Sequence, residues 1–96
     1  MVLDPGQIGS RLQGLAGWTY DDTAGIRKTY RHHDFLEAIA FVNRIAPMAE
    51  ESQHHPDIDI RYNKVTVTLI THDAGGVTDK DVDLARRIEQ AAADHR

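Results

Sequence analysis

The segment Asp57-Ile58-Asp59-Ile60-Arg61-Tyr62-Asn63-Lys64-Val65-Thr66-Val67-Thr68-Leu69-Ile70 carries the clearest structural pattern in the chain. Ile58, Ile60 and Tyr62 alternate with Asp57, Asp59 and Arg61, the two-residue period of a strand with one face buried. Val65, Val67 and Leu69 alternate in turn with Thr66, Thr68 and Ile70, and β-branched residues dominate this second run. Asn63-Lys64 between them suits a tight turn. Two strands joined by so short a link must be antiparallel neighbours, so the sheet contains a hairpin rather than a crossover.

Upstream, Asp34 opens a helix, with Glu37 three residues on as a variant capping box. Phe35, Ile39, Val42, Ala46 and Ala49 follow at three- and four-residue steps and give one apolar stripe. Pro47 lacks the N–H that would bond the Asn43 carbonyl, so a kink or a stop and restart is expected there. Trp18–Tyr20 and Ile26–Arg31 read as a second hairpin about the turn 21–25. Asp4-Pro5 starts a first helix through Ile8, Leu12 and Leu15, ended by Gly17. Downstream of Gly75-Gly76, Thr78 is an N-cap with Asp81 at the third helical position. Val82, Ala85, Ile88 and Ala92 form the inward stripe of a last helix. The order α-β-β-α-β-β-α implies an α+β domain over residues 1–96, a four-stranded antiparallel sheet with three helices on one face.

At 96 residues there is room for one core, and 41% apolar with 27% charged residues is ordinary for a globular domain. The absence of cysteine excludes disulfides, thiolate zinc sites and a cysteine nucleophile, and fits a reducing, cytoplasmic setting. Met1–Gln7 shows no signal-peptide pattern, and no apolar stretch approaches the ~20 residues that span a bilayer. A formal charge of -4 argues against nucleic acid as a partner. The basic segment of Arg27, Lys28, Arg31, His32 and His33 reads as a solvated strand face.

A hairpin folded about Asn63 brings His72 opposite His54, with His55 beside it. Histidine titrates at ~6.5 when unperturbed, so such a cluster supplies both a neutral and a protonated ring near neutrality. General acid and base catalysis need that pairing. Two other readings stand beside it. One is a set of surface histidines near a turn. The other is a metal site of His54, His55 or His72 with Asp73 or Glu50, although adjacent histidines in an extended segment point to opposite faces.

Glu50-Glu51-Ser52-Gln53-His54-His55-Pro56, then Tyr62-Asn63-Lys64-Val65, then Thr71-His72-Asp73 and Asp81 together resemble the pterin-4a-carbinolamine dehydratase family. Gly17-Trp18 and the Asp34-Phe35 helix start are similar too, so the resemblance covers most of the chain. It implies the fold just read and the loss of water from 4a-hydroxytetrahydrobiopterin to give quinonoid dihydrobiopterin. That reaction recycles the cofactor of aromatic amino-acid hydroxylases. Carried over, His54, His55 and His72 are catalytic; Glu50, Gln53, Thr71 and Asp73 line the pterin site; Asp81 sits beside His72 and fixes its tautomer. The resemblance also implies a homodimer or homotetramer, and neither metal nor cofactor.

The chain departs from the family pattern at three places. Gln53 stands where Asp is frequent, Ile58 stands where better-known members carry Trp, and Pro47 is unusual in its helix. Two alternatives follow from the same resemblance: a non-enzymatic dimerisation module, or a pterin-site enzyme of molybdopterin or folate metabolism.

Overall fold

The computed structural model describes residues 1–94. The elements are α1 (Pro5–Arg11), β1 (Thr19–Asp21), β2 (Gly25–Arg31), α2 (Phe35–Ser52), β3 (Asp57–Arg61), β4 (Lys64–Leu69) and α3 (Asp79–Asp94), with a short 3₁₀ turn at His72–Ala74. The four strands form one antiparallel sheet in the order β1-β2-β4-β3. Ile26, Tyr30, Val65, Val67 and Leu69 face Phe41 and Ile45 of α2 and Val82, Ala85 and Ile88 of α3. The alternate strand residues stay accessible, so the helices cover one face only. Burying each of these large apolar side chains contributes ~1.5–3 kcal/mol. At the β1–β2 turn, Gly25 has φ 108°, and a Cβ there would lie 2.1 Å from the Leu69 carbonyl oxygen, so only glycine lets β2 approach β4.

Caps and period set the helices. Asp34 accepts from the Glu37 N–H at 2.9 Å, while Glu37 reaches back to the N–H of His33 at 3.2 Å, one residue before the cap. At α1, Asp4 and Gln7 make the complete reciprocal box. The helix ends at Arg11, and Leu15, expected inside it, is buried from the following turn instead.

Three further expectations change. The buried face of α2 is Ala38, Phe41, Ile45 and Ala49, whereas Phe35 and Ala46 are exposed and Ile39 and Val42 are half-buried. Apolar residues occupy more than one face of this helix, so spacing alone does not choose among the possible stripes. Pro47 does not stop α2, which runs continuously to Ser52 and so excludes a stop and restart there; Pro47 and Asn43, whose carbonyl loses that donor, are both exposed residues. Finally, the basic segment is only partly a solvated face. Arg27 and Arg31 are exposed, but the His32 ring is buried against Phe41, with centroids 4.9 Å apart. Lys28 turns inward to Glu89, at 2.9 Å, and to the carbonyl of Ala16, at 2.7 Å.

Glu89 is the acceptor of a polar cluster inside the helix layer. Besides Lys28 it receives Tyr30 Oη at 2.7 Å and Trp18 Nε1 at 3.2 Å. Burial pushes its carboxyl up, but the bonds from Tyr30, Lys28 and Trp18 and the Lys28 charge outweigh that and hold it below its ordinary range.

Candidate active site

The end of α2 places the first two histidines. Gln53 adopts the left-handed conformation at φ 54°, ψ 38°. Its N–H bonds the Glu50 carbonyl at 3.1 Å, and the N–H of His54 bonds the Ala49 carbonyl at 3.1 Å. Together these bonds form a Schellman ending, which turns the chain sharply and fixes where His54 begins. Pro56 then restricts His55 to extended geometry, so the chain enters β3 directly and the two rings diverge.

His54 and His55 turn to different carboxylates. His54 Nε2 bonds Oδ1 of Asp81 in the first turn of α3, and His55 Nε2 bonds Glu50 Oε1 at 2.6 Å. The first pair is sheltered: Asp81 is 0% exposed, while His55 and Glu50 lie on the surface. Asp81 Oδ2 also accepts the Thr71 hydroxyl at 2.9 Å and the Thr78 N–H at 2.9 Å. Thr71 spends its single proton on Asp81, so the 2.8 Å contact between the Thr71 and Thr78 hydroxyls runs from Thr78 to Thr71. A carboxylate ringed by donors calls for a proton on His54 Nε2, which leaves Nδ1 as the nitrogen able to accept one.

This arrangement corrects one expectation. Asp81 supports His54 rather than His72. Thr78 stands just before α3, with its N–H bonded to Asp81 at the third helical position, while its hydroxyl serves Thr71. The hairpin register explains the change. Arg61 pairs with Lys64 and Asp57 with Thr68. The loop is therefore Tyr62-Asn63, and continuing the register puts Thr71, not His72, opposite His54. A slip of one residue sends a side chain to the other face.

His72 lies one residue further on, in the 3₁₀ turn. That turn is closed by backbone bonds to Thr71 and by the bridge between Thr71 and Gly76, and it needs Gly75 at φ 79°. His72 is exposed, and among the described residues its side chain has no hydrogen-bond partner.

His54, His55 and His72 line one cleft with Gln53, Ile70, Thr71, Asp73 and Lys80. Glu50 reaches its rim through His55. All the residues singled out from sequence thus gather at or around one place. Among the described residues no three His, Asp or Glu side chains form a group that could hold a metal ion. Lys80 was not foreseen; its one signal is its position immediately before Asp81. No described helix is long and apolar enough to cross a membrane.

Comparison with known proteins places the chain within one family. The family model for pterin 4 alpha carbinolamine dehydratase matches residues 1–91. A protein of Thermomicrobium roseum, provisionally named a pterin-4-alpha-carbinolamine dehydratase, is 50% identical over 91 residues, covering 95% of this chain and 97% of its own. The crystal structure of a transcriptional coactivator/pterin dehydratase from Brucella melitensis superposes with a TM-score of 0.89 at 34% identity, covering 96% of this chain and 99% of that one. A pterin dehydratase-like RuBisCO assembly factor of the α-carboxysome shares the fold, with a TM-score of 0.63 at 19% identity over 77% of this chain and 89% of its own.

Proposed function

The chain belongs to the pterin 4 alpha carbinolamine dehydratase family, and from that membership we propose that it dehydrates 4a-hydroxytetrahydrobiopterin to quinonoid dihydrobiopterin. One observation carries the reading: His54, tethered to the fully buried Asp81, opens onto the same cleft as His55 and His72. In the reaction the N5 proton leaves, the freed electron pair forms the N5=C4a bond, and the C4a–O bond breaks. The departing hydroxyl takes a proton and leaves as water.

His54 Nδ1 takes the N5 proton, and His72 donates to the hydroxyl. Each such role is worth ~10²–10⁴-fold. Asp81 keeps the His54 proton on Nε2, so that Nδ1 is always the accepting nitrogen. His55, tied to the exposed Glu50, serves binding with Gln53, Thr71 and Asp73. The chemistry requires neither metal nor cofactor.

We further assign the protein to cofactor recycling in the cytoplasm as a homodimer or homotetramer. The cysteine-free chain suits the first. Exposed Phe35 and Leu36 at the start of α2 and Ile60 on the edge strand β3 suit the second.

A second reading, a non-enzymatic interaction module, is favoured by the coactivator name of the Brucella melitensis neighbour. It gives the histidines no task. The decisive experiment generates 4a-hydroxytetrahydrobiopterin in a rapid-mixing cell and follows its decay by absorbance, with chelator present. Catalysed decay well above the spontaneous rate supports the enzyme; decay at the spontaneous rate supports the module.

A further inference from the structure

The His54 ring is held from α3, and so is the helix end that delivers it. From α3, Arg87 Nη1 donates to the Ser52 hydroxyl at 3.0 Å and Nη2 to Glu51 Oε1 at 3.0 Å. Ser52 gives its single proton to the Met48 carbonyl, at 2.7 Å, and can only accept from the guanidinium. The bonds therefore run from α3 through a hydroxyl into the backbone of α2, just ahead of His54.

The stretch Ala49-Glu50-Glu51-Ser52 puts two carboxyls and no cation at a helix end. The partial negative charge of a helix C-terminus disfavours that arrangement and favours a cation. Arg87 supplies the missing charge from the neighbouring helix, and its planar fork reaches two acceptors at once, as a lysine ammonium would not. Asp81 and Arg87 lie six residues apart on α3, ~9 Å along its axis. They grip one short stretch of chain, His54 at the first point and Glu51 with Ser52 at the second. A single attachment leaves a pivot. The second stops rotation about it.

The Arg87–Glu51 pair is exposed, with 44% and 74% of the side chains accessible, so it adds little to global stability. Its effect lies in where the end of α2 sits. We propose that Arg87 is a positioning residue for His54, keeping that ring seated on Asp81 by holding the last turn of α2. The hold follows from geometry alone; its effect on turnover rests on the dehydratase reading. A catalytic group misplaced by ~1 Å can cost ~10²-fold, so a contact loosened rather than lost corresponds to about tenfold.

The test follows the His54 Nε2 proton by its downfield proton resonance, assigned through its disappearance in His54→Ala, and times its exchange with water. The wild type should show this resonance in slow exchange. Arg87→Met, which removes the charged head, should speed exchange about tenfold or broaden the signal away. Arg87→Lys, which restores the cation without the fork, should lie between. Ser52→Ala cuts the relay with the charge left in place and should act in the same direction. Arg86→Met, whose partner Asp83 lies on its own helix, should change nothing. In the dehydration assay, kcat should fall about tenfold in Arg87→Met with KM within about twofold. Thermal melts should stay nearly coincident. The proposal is overturned if the wild type shows no such resonance, if exchange in folded Arg87→Met matches the wild type, or if Arg86→Met loosens the ring equally. It is overturned as well if an active wild type loses no turnover in Arg87→Met. Loosening by Arg87→Met in a protein that performs no dehydration would uphold the positioning role and defeat only the dehydratase reading.

Discussion

At the scale of single residues, the site turns on Asp81. Three donors converge on a carboxylate with no access to solvent, and one of them is the His54 ring. Asp81→Asn keeps the shape but presents an amide that can itself donate, so His54 loses its reason to keep the proton on Nε2. Turnover should fall on the order of 10²-fold or more. Stability should fall by about 1–3 kcal/mol, since buried donors lose their acceptor. Steady-state kinetics beside a circular-dichroism melt will separate the two effects, and full activity in the folded variant would show that Asp81 merely caps α3. The residue types of this site were legible in the sequence, because the two histidine positions flank a hairpin that had to fold back. The pairing was not. Whether Asp81 meets His54 or His72 depends on one residue of register, and a short turn such as Tyr62-Asn63 does not announce its length.

At the scale of elements, α2 carries two local costs. Pro47 removes a backbone hydrogen bond from a continuous helix, and an interior proline costs ~3 kcal/mol relative to alanine. Alanine is freer in the unfolded chain, which returns part of that difference. Pro47→Ala should therefore stabilise by about 1–2 kcal/mol and leave turnover nearly unchanged, as chemical denaturation and the dehydration assay can check. A loss of activity would mean that proline shapes the end of α2. Gln53 occupies a conformation that suits glycine. Gln53→Gly should add about 1 kcal/mol of stability while weakening substrate binding, seen as a raised KM with little change in kcat. Unlike the strands, whose strict alternation marked their faces, this helix was only half legible. Its caps at Asp34 and Glu37 could be read, but apolar residues on several sides hid the face that packs.

At the scale of the whole molecule, Glu89 ties α3 to β2 and to Trp18. Its folded carboxyl titrates below the ordinary 4.5, so its contribution to stability is present above that value and is lost as pH falls through the folded one. Unfolding midpoints followed from about pH 6 to about pH 3 should drop less in Glu89→Gln than in the wild type. Parallel curves would remove Glu89 from the acid response. The two hairpins were legible because each is local in sequence; the pairing of β2 with β4 that joins them into one sheet was not. The Glu89 cluster was not, because it joins residues from three separate segments and Lys28 read as one more surface cation.

Joint action of His54 and His72 on a hydroxypterin is tested by the decay of 4a-hydroxytetrahydrobiopterin with wild-type protein, each single alanine variant and the double variant. All four rates are corrected for the spontaneous reaction, with folding verified by circular dichroism. Losses of ~10²-fold or more are expected for His54→Ala and for His72→Ala, with a double variant far faster than the product of the two losses. A well-folded double variant that dehydrates the substrate at the wild-type rate would contradict it.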